Sequence, residues 1–159
     1  MPLESHRFFA AQAWVAGAWA RDVLLEVDAA GHWSSVQTRV PLSARQNAHV
    51  LAGPVLPGLV NAHSHAFQRA MAGLTEYRTA GQDSFWTWRS LMYRFLDHLS
   101  PEDVGIIAAQ VMVEMAEAGY GAVAEFHYLH HGVRGALYAD LAEMSGQICA
   151  AAQTTGLGL

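Results

Sequence analysis

A single cysteine, Cys149, stands among the 159 residues, which excludes a disulfide framework and a cysteine-rich zinc site. It lies in an alanine-rich helical stretch and reads as a small buried packing residue. Charge is sparse too: 14% of residues are charged against 52% hydrophobic, the balance of a globular chain rather than a disordered one. The formal charge of −5 gives no basic footprint for nucleic acid. The apolar run from Phe8 to Ala20 is too short to span a membrane. Its small-residue triplets, Ala16-Gly17-Ala18 and Ala18-Trp19-Ala20, resemble the cleavage site of a leader peptide. Gln12 in the middle and the bulky Trp14 and Trp19 favour a hairpin instead, and with it a soluble cytoplasmic protein.

Histidine, by contrast, is plentiful, with nine in the chain. His6, His32, His49 and His98 are scattered; the others fall in two clusters. The first is His63-Ser64-His65, at the end of an apolar run entered through Pro57-Gly58. Leu59 to His65 reads as a buried strand, and residues two apart on a strand share a face. His63 and His65 therefore project together with Ser64 opposite, and two imidazoles on a rigid strand suit one transition-metal ion, most often zinc. The second cluster is His127, His130 and His131, where a further metal site is conceivable but ordinary loop histidines are the simpler reading.

Residues 6 to about 55 read as short strands with turns at Ala16-Gly17 and Ala29-Ala30-Gly31, a half-buried antiparallel sheet followed by a polar connection from Pro41 to Val50. In the second strand Trp19, Arg21, Val23, Leu25 and Val27 form the more apolar face. Beyond Pro57 strands and helices alternate. Phe85, Trp88, Met92, Phe95 and Leu99 recur at helical steps. Ser100-Pro101-Glu102-Asp103 opens a helix whose stripe is Val104, Ile107, Ala108, Val111 and Met115, stopped at Gly119. A strand follows over 122–128, a helix over 139–155 ending at Gly156, and Leu157-Gly158-Leu159 opens a third strand. This is the grammar of a parallel α/β fold. A complete eightfold barrel takes roughly 250 residues, so the expectation is about two of eight units, in a piece that is unstable alone.

The stretch Asn61 to Gly73, with Asp83-Ser84-Phe85-Trp86-Thr87-Trp88-Arg89 and Val123 to His131, resembles the amidohydrolase superfamily, and within it the formimidoylglutamate deiminases. The resemblance implies an α/β fold: residues 1–56 as part of a small antiparallel β-sandwich domain, and residues 57–159 as the N-terminal part of a metal-dependent (β/α)8 barrel. It implies hydrolysis of N-formimino-L-glutamate to N-formyl-L-glutamate and ammonia in histidine breakdown, by a cytoplasmic enzyme that is a homodimer at full length. His63 and His65 would be zinc ligands. Gln68, Arg89 and Tyr128 would bind substrate. The remaining ligands and the proton-transfer residues would lie past Leu159.

Residue chemistry agrees in part. Gln68 sits three residues past His65, where its amide could donate to a carboxylate or accept from an imino N–H. Arg89 has the planar fork that a substrate carboxylate needs, although a solvated helix-face arginine, the usual fate of Arg69, Arg78 and Arg94, is what spacing alone favours. Trp86, Trp88 and Phe85 read as core or pocket wall. Glu125 and His127 are costly inside an apolar strand unless paired, so they are expected to satisfy each other or to brace a metal ligand through hydrogen bonds. Two rival readings share the histidine pair: another amidohydrolase, such as an aminated-heterocycle deaminase or chlorohydrolase, and a non-catalytic metal-binding module.

Overall fold

The computed structural model describes residues 6–75 and 84–159, so Arg78 and Asp83 lie outside the described residues. The chain has mixed α/β content and divides into two compact units, Met1–Pro57 and Gly58–Leu159.

In the first unit β1 (His6–Val15) and β2 (Ala18–Val27) form a hairpin. Its turn residues Ala16 and Gly17 have φ of 49° and 82°, the pair of left-handed conformations that matches strand twist. β3 (Trp33–Gln37) pairs antiparallel with β2, reached through a turn in which Asp28 Oδ1 accepts from the amides of Ala30 and His32 at 2.9 Å each. The expected polar connection is more structured than its composition suggests. It holds a 3₁₀ turn over Leu42–Asn47 and β4 (His49–Leu51), which pairs parallel with β1. The four-stranded sheet, in the order β3-β2-β1-β4, is therefore mixed rather than antiparallel.

The simple alternation read for β2 also fails. Asp22 has φ 50°. After it Val23, Leu24 and Leu25 are all buried, because both sheet faces are covered there. Ala10, Ala13, Val23 and Leu25 make one cluster, while Phe9 on β1 pairs with Leu24 and is roofed by the Arg45 guanidinium, 4.6 Å from its ring centroid.

In the second unit β5 (Leu59–Ser64) and β6 (Tyr120–Glu125) pair in parallel. Gly58 and Gly121 let the strands start close together: a Cβ on Gly58 would come within 3.2 Å of the Gly121 amide nitrogen. Where a third strand is expected the structure has an isolated parallel bridge, Gly158 to Ala122. β5 is less covered than its apolar sequence implied: Leu59 and Val60, on opposite faces, are both exposed, and the strand's single described neighbour in the sheet is β6.

α1 (Phe85–Leu96) and α2 (Pro101–Glu117) both begin with a capping box. At α2, Ser100 Oγ accepts from the Asp103 amide at 3.1 Å, and Asp103 Oδ2 accepts from the Ser100 amide at 2.9 Å. α2 buries Val104, Ala108 and Met112, the last absent from the expected stripe. α3 (Glu143–Thr155) ends at Gly156 with φ 75° and adds Met144, Ile148, Ala151 and Ala152 to one core with Phe67, Leu99 and Val123. Cys149 faces solvent on α3, contrary to the buried role expected of it, since the core stripe runs through Ile148 and Ala152 instead. Phe85 and Trp86 are exposed rather than core, because α1 meets the core through Met92, Phe95 and Leu96. Among the described residues no helix is long and apolar enough to cross a membrane.

Candidate metal centre

His63 and His65 come together at the C-terminal end of β5. The register of β5 on β6 slips between Asn61 and Ser64, so two residues, Ala62 and His63, face one on β6. A bulge of this kind re-aims a side chain. His63 leaves the ladder and donates its amide to Asn61 Oδ1 at 3.1 Å. Ser64 points the other way and is buried. The two imidazoles then converge, with His63 Nε2 3.0 Å from His65 Nε2 and the ring planes 73° apart.

The state of His65 follows from its other nitrogen. Nδ1 lies 2.7 Å from the Phe126 carbonyl oxygen. A carbonyl only accepts, so Nδ1 carries the proton and Nε2 presents a lone pair toward His63. This is the arrangement of a metal-ligating histidine, whose second N–H is held by a carbonyl or carboxylate.

The spacing also fits. Two nitrogens bound to one zinc at about 2.0–2.1 Å stand roughly 2.9 Å apart at a right angle and about 3.3 Å apart at the tetrahedral angle. The observed gap of 3.0 Å falls between these two values. Neutral nitrogen donors suit zinc, and iron, nickel and copper as well. Among the described residues no group of three or more His, Cys, Asp or Glu side chains could hold a metal, so the pair supplies only part of a shell.

The exit of β6 braces this end of β5. Phe126 N donates to the Ser64 carbonyl at 3.0 Å. Glu125 Oε1 accepts from the Ala66 amide at 2.8 Å. Tyr128 turns back with φ 60°, a conformation that costs a tyrosine about 1–3 kcal/mol. The turn lays its ring 4.6 Å from the His65 ring and 4.6 Å from Phe126, and such ring pairs return about 0.5–1.5 kcal/mol each. Phe126 and Tyr128 remain exposed, so an aromatic rim stands beside the imidazoles.

Glu125 and His127 each have their own partners, and those partners differ from the mutual pairing that shared strand faces suggested. β6 ends at Glu125, which puts His127 past the strand. His127 Nδ1 accepts from the Leu129 amide at 3.1 Å, so its Nε2–H donates to Ser145 Oγ at 3.0 Å. Both ring nitrogens are committed, which leaves no lone pair for a metal shared with His130, whose ring lies 5.2 Å away. Burial lowers the pKa of His127, His130 lowers it further, and Glu125 opposes the shift.

The expected substrate contacts lie on other elements. Gln68 is half-buried in the 3₁₀ turn Ala66–Met71, directly after His65. Its neighbour Arg69 is not a merely solvated arginine: Nε and Nη2 fork onto Glu114 at 2.9 and 3.0 Å, tying this turn to α2. That guanidinium, with help from Gln110, lowers the Glu114 pKa. Arg89 sits on α1, donating Nη2 to the Tyr93 hydroxyl at 2.8 Å with its guanidinium carbon 5.1 Å from the Tyr93 ring centroid. No contact joins Arg89 to the histidine pair among the described residues. Asn61, the Phe126 carbonyl and Ser145 were not singled out from sequence. Only Asn61 had a local signal, a side-chain acceptor two residues before His63.

A sequence profile of the amidohydrolase family matches residues 55–154. The formimidoylglutamate deiminase of Pseudomonas aeruginosa is 51% identical over 151 residues, covering 95% of this chain and 33% of that protein. The crystal structure of an amidohydrolase from Brucella melitensis is similar with a TM-score of 0.87 at 42% identity, covering 97% of this chain and 34% of that one. Atrazine chlorohydrolase from Arthrobacter aurescens, crystallised with zinc, has a TM-score of 0.70 at 16% identity over 94% of this chain and 34% of its own, a likeness of fold alone. The chain thus spans about a third of the length of the relatives it matches.

Proposed function

The chain belongs to the amidohydrolase family, and from that premise we propose that it carries one arm of the metal site of a formimidoylglutamate deiminase. The observation that carries the reading is the convergence of His63 Nε2 and His65 Nε2 at 3.0 Å, with the His65 tautomer set by Phe126. Support for the substrate is the 51% identity to the Pseudomonas deiminase.

The proposed reaction is hydrolysis of N-formimino-L-glutamate to N-formyl-L-glutamate and ammonia, within histidine breakdown, in the cytoplasm and as a homodimer. Residues 57–159 are proposed as the first two βα units and the opening third strand of a (β/α)8 barrel, and residues 1–56 as part of a small β-sandwich domain. Parallel pairing of β5, β6 and Gly158 supports the first assignment.

Zinc bound at such a pair supplies acidified water, and hence a hydroxide nucleophile, at neutral pH. His63 and His65 would hold it as neutral imidazoles, which leaves the ion its full charge. The shell is completed by donors outside these residues. Tyr128 would lay its aromatic face along the substrate beside His65. Gln68, one turn past the ligands, would bond the formimino nitrogen or a carboxylate. Arg89 would exchange the neutral Tyr93 hydroxyl for a substrate carboxylate, a charge-assisted and so stronger partner. Glu125 and His127 would brace the site without touching the ion.

The test is made on the full-length protein. One zinc per protomer and ammonia release from N-formimino-L-glutamate, both lost in the His63→Ala, His65→Ala double variant, are expected. A folded, metal-free parent that leaves this substrate intact would overturn the reading.

A further inference from the structure

The bonds described at the C-terminal exit of β5 come from one short segment, Glu125 to Tyr128. Phe126 N reaches the Ser64 carbonyl, the Phe126 carbonyl takes the His65 Nδ1 proton, Tyr128 stacks on the His65 ring, and Glu125 takes the Ala66 amide. Three of these bonds either use backbone groups or depend on one ring. The Glu125 carboxylate is the side-chain bond among them, and at 2.8 Å it is charge-assisted.

Its place explains why it is needed. Ala66 opens the 3₁₀ turn Ala66–Met71, whose first amides have no partner within the turn. The residue before a helical turn ordinarily caps it with its own side chain. Here that residue is His65, with φ −134° and ψ 76°, and it makes no side-chain cap. Its Nδ1 is taken by Phe126 and its Nε2 faces His63. A side chain at that position would in any case reach the second or third amide of the turn, so the first, that of Ala66, needs an acceptor from elsewhere. Glu125, opposite Ser64 at the last pair of the β5–β6 register, supplies the cap from across the sheet.

We propose that Glu125 is a positioning residue for the metal pair: by holding the Ala66 amide it fixes the His65–Ala66 backbone that carries the His65 ring, and so keeps Nε2 in place beside His63. The carboxylate acts through the backbone and touches neither ion nor substrate. This rests on the reading of His63 and His65 as ligands only for its metal readout; the ring orientation can be read without metal.

The experiment compares Glu125→Ala and Glu125→Gln in the full-length protein, using zinc affinity by chelator competition and ring ¹⁵N shifts of His65 in the metal-free state. A glutamine keeps an acceptor for the Ala66 amide and alanine does not. Glu125→Ala should weaken zinc binding about 10- to 100-fold, the range for groups that orient a ligand. It should also move the His65 ring from the Nδ1–H form toward a tautomer mixture. Glu125→Gln should stay within about threefold of the parent in affinity and keep the parent shifts. Parent-like zinc affinity and ring shifts in Glu125→Ala would overturn the proposal, as would a Glu125→Gln variant as impaired as the alanine. If the parent binds no zinc the functional reading fails separately. The ring shifts then decide on Glu125 alone: altered in the alanine and restored in the glutamine supports it, and unchanged in both overturns it.

Discussion

His65 Nδ1 and the Phe126 carbonyl oxygen lie 2.7 Å apart, bridging residues 61 positions distant in the chain. The bond joins two strand exits and decides the chemistry of the imidazole at once. With its proton held at Nδ1, the neutral His65 ring offers Nε2 rather than Nδ1 as its donor atom. Affinity for the proposed metal should therefore rest on the exit of β6 as much as on the exit of β5, where His63 and His65 stand.

Replacing either histidine should remove the metal. His63→Ala or His65→Ala in the full-length protein should lower zinc affinity by more than about 100-fold, beyond the range for residues that merely orient a ligand. His65→Ala should also disturb the packing of Tyr128, whose ring leans on it at 4.6 Å. Chelator competition measures the first effect. A shift in Tyr128 fluorescence or NMR signals measures the second, and His63→Ala should not produce it.

If Arg89 reads a substrate carboxylate as proposed, Arg89→Ala should raise KM for N-formimino-L-glutamate, because a hydrogen bond to a charged group is worth about 1.5–3 kcal/mol, roughly 10- to 150-fold. Stability should change little, since among the described residues the guanidinium is engaged by the Tyr93 hydroxyl and ring on its own helix. Steady-state kinetics with the diacid and with an uncharged amidine separates the two roles. Equal losses on both substrates would show that Arg89 does not read a carboxylate.

The shared side of His63 and His65 was legible in the sequence from strand alternation, but the bulge at Ala62–His63 and the end of β5 at Ser64, which set how the rings meet, were not. The caps at Ser100 and Gly156 were legible because capping, like alternation, is a local rule. What escaped depends on partners distant in the chain. The Phe126 carbonyl is a backbone group and carries no residue-type signal. The parallel docking of His49–Leu51 on β1 is a pairing choice that a short polar stretch does not advertise. The placement of Cys149 outside and Met112 inside turns on which stripe of a weakly amphipathic helix meets its neighbour. Glu125 and His127 were recognised as groups that needed partners, but Ala66 and Ser145 lie too far along the chain to be picked as those partners.

Ser100→Ala should cost about 1 kcal/mol, the usual loss of a helix N-cap. Ser100 Oγ accepts the Asp103 amide at 3.1 Å, and its hydroxyl donates to Asp103 Oδ2 at 2.6 Å. Both bonds vanish in the variant while the Ser100 backbone bond to Asp103 can persist. Denaturant unfolding of the full-length protein should show the loss with an unchanged m-value. Ser100→Thr, which retains the hydroxyl as both acceptor and donor, should recover much of it.

The last expectation concerns pH. Burial, and secondarily the neighbouring His130, lower the folded pKa of His127, with Glu125 opposing. The folded state thus favours the neutral ring, whose Nδ1 accepts from Leu129 and whose Nε2–H donates to Ser145. The unfolded chain binds the proton more readily, near the ordinary histidine value of about 6.5. The stability His127 contributes is therefore complete above that pH and falls away as pH drops through it toward the lower folded pKa. Protonation at Nδ1 would also set a donor against the Leu129 amide. A His127→Gln variant can keep a hydrogen bond to Ser145 but has no titrating group. The stability gap between parent and variant, measured by denaturant unfolding from pH 8 to pH 5, should narrow as the pH falls. A gap that is constant, or that widens toward acid, would show that the protonated ring is tolerated in the fold as well as the neutral one.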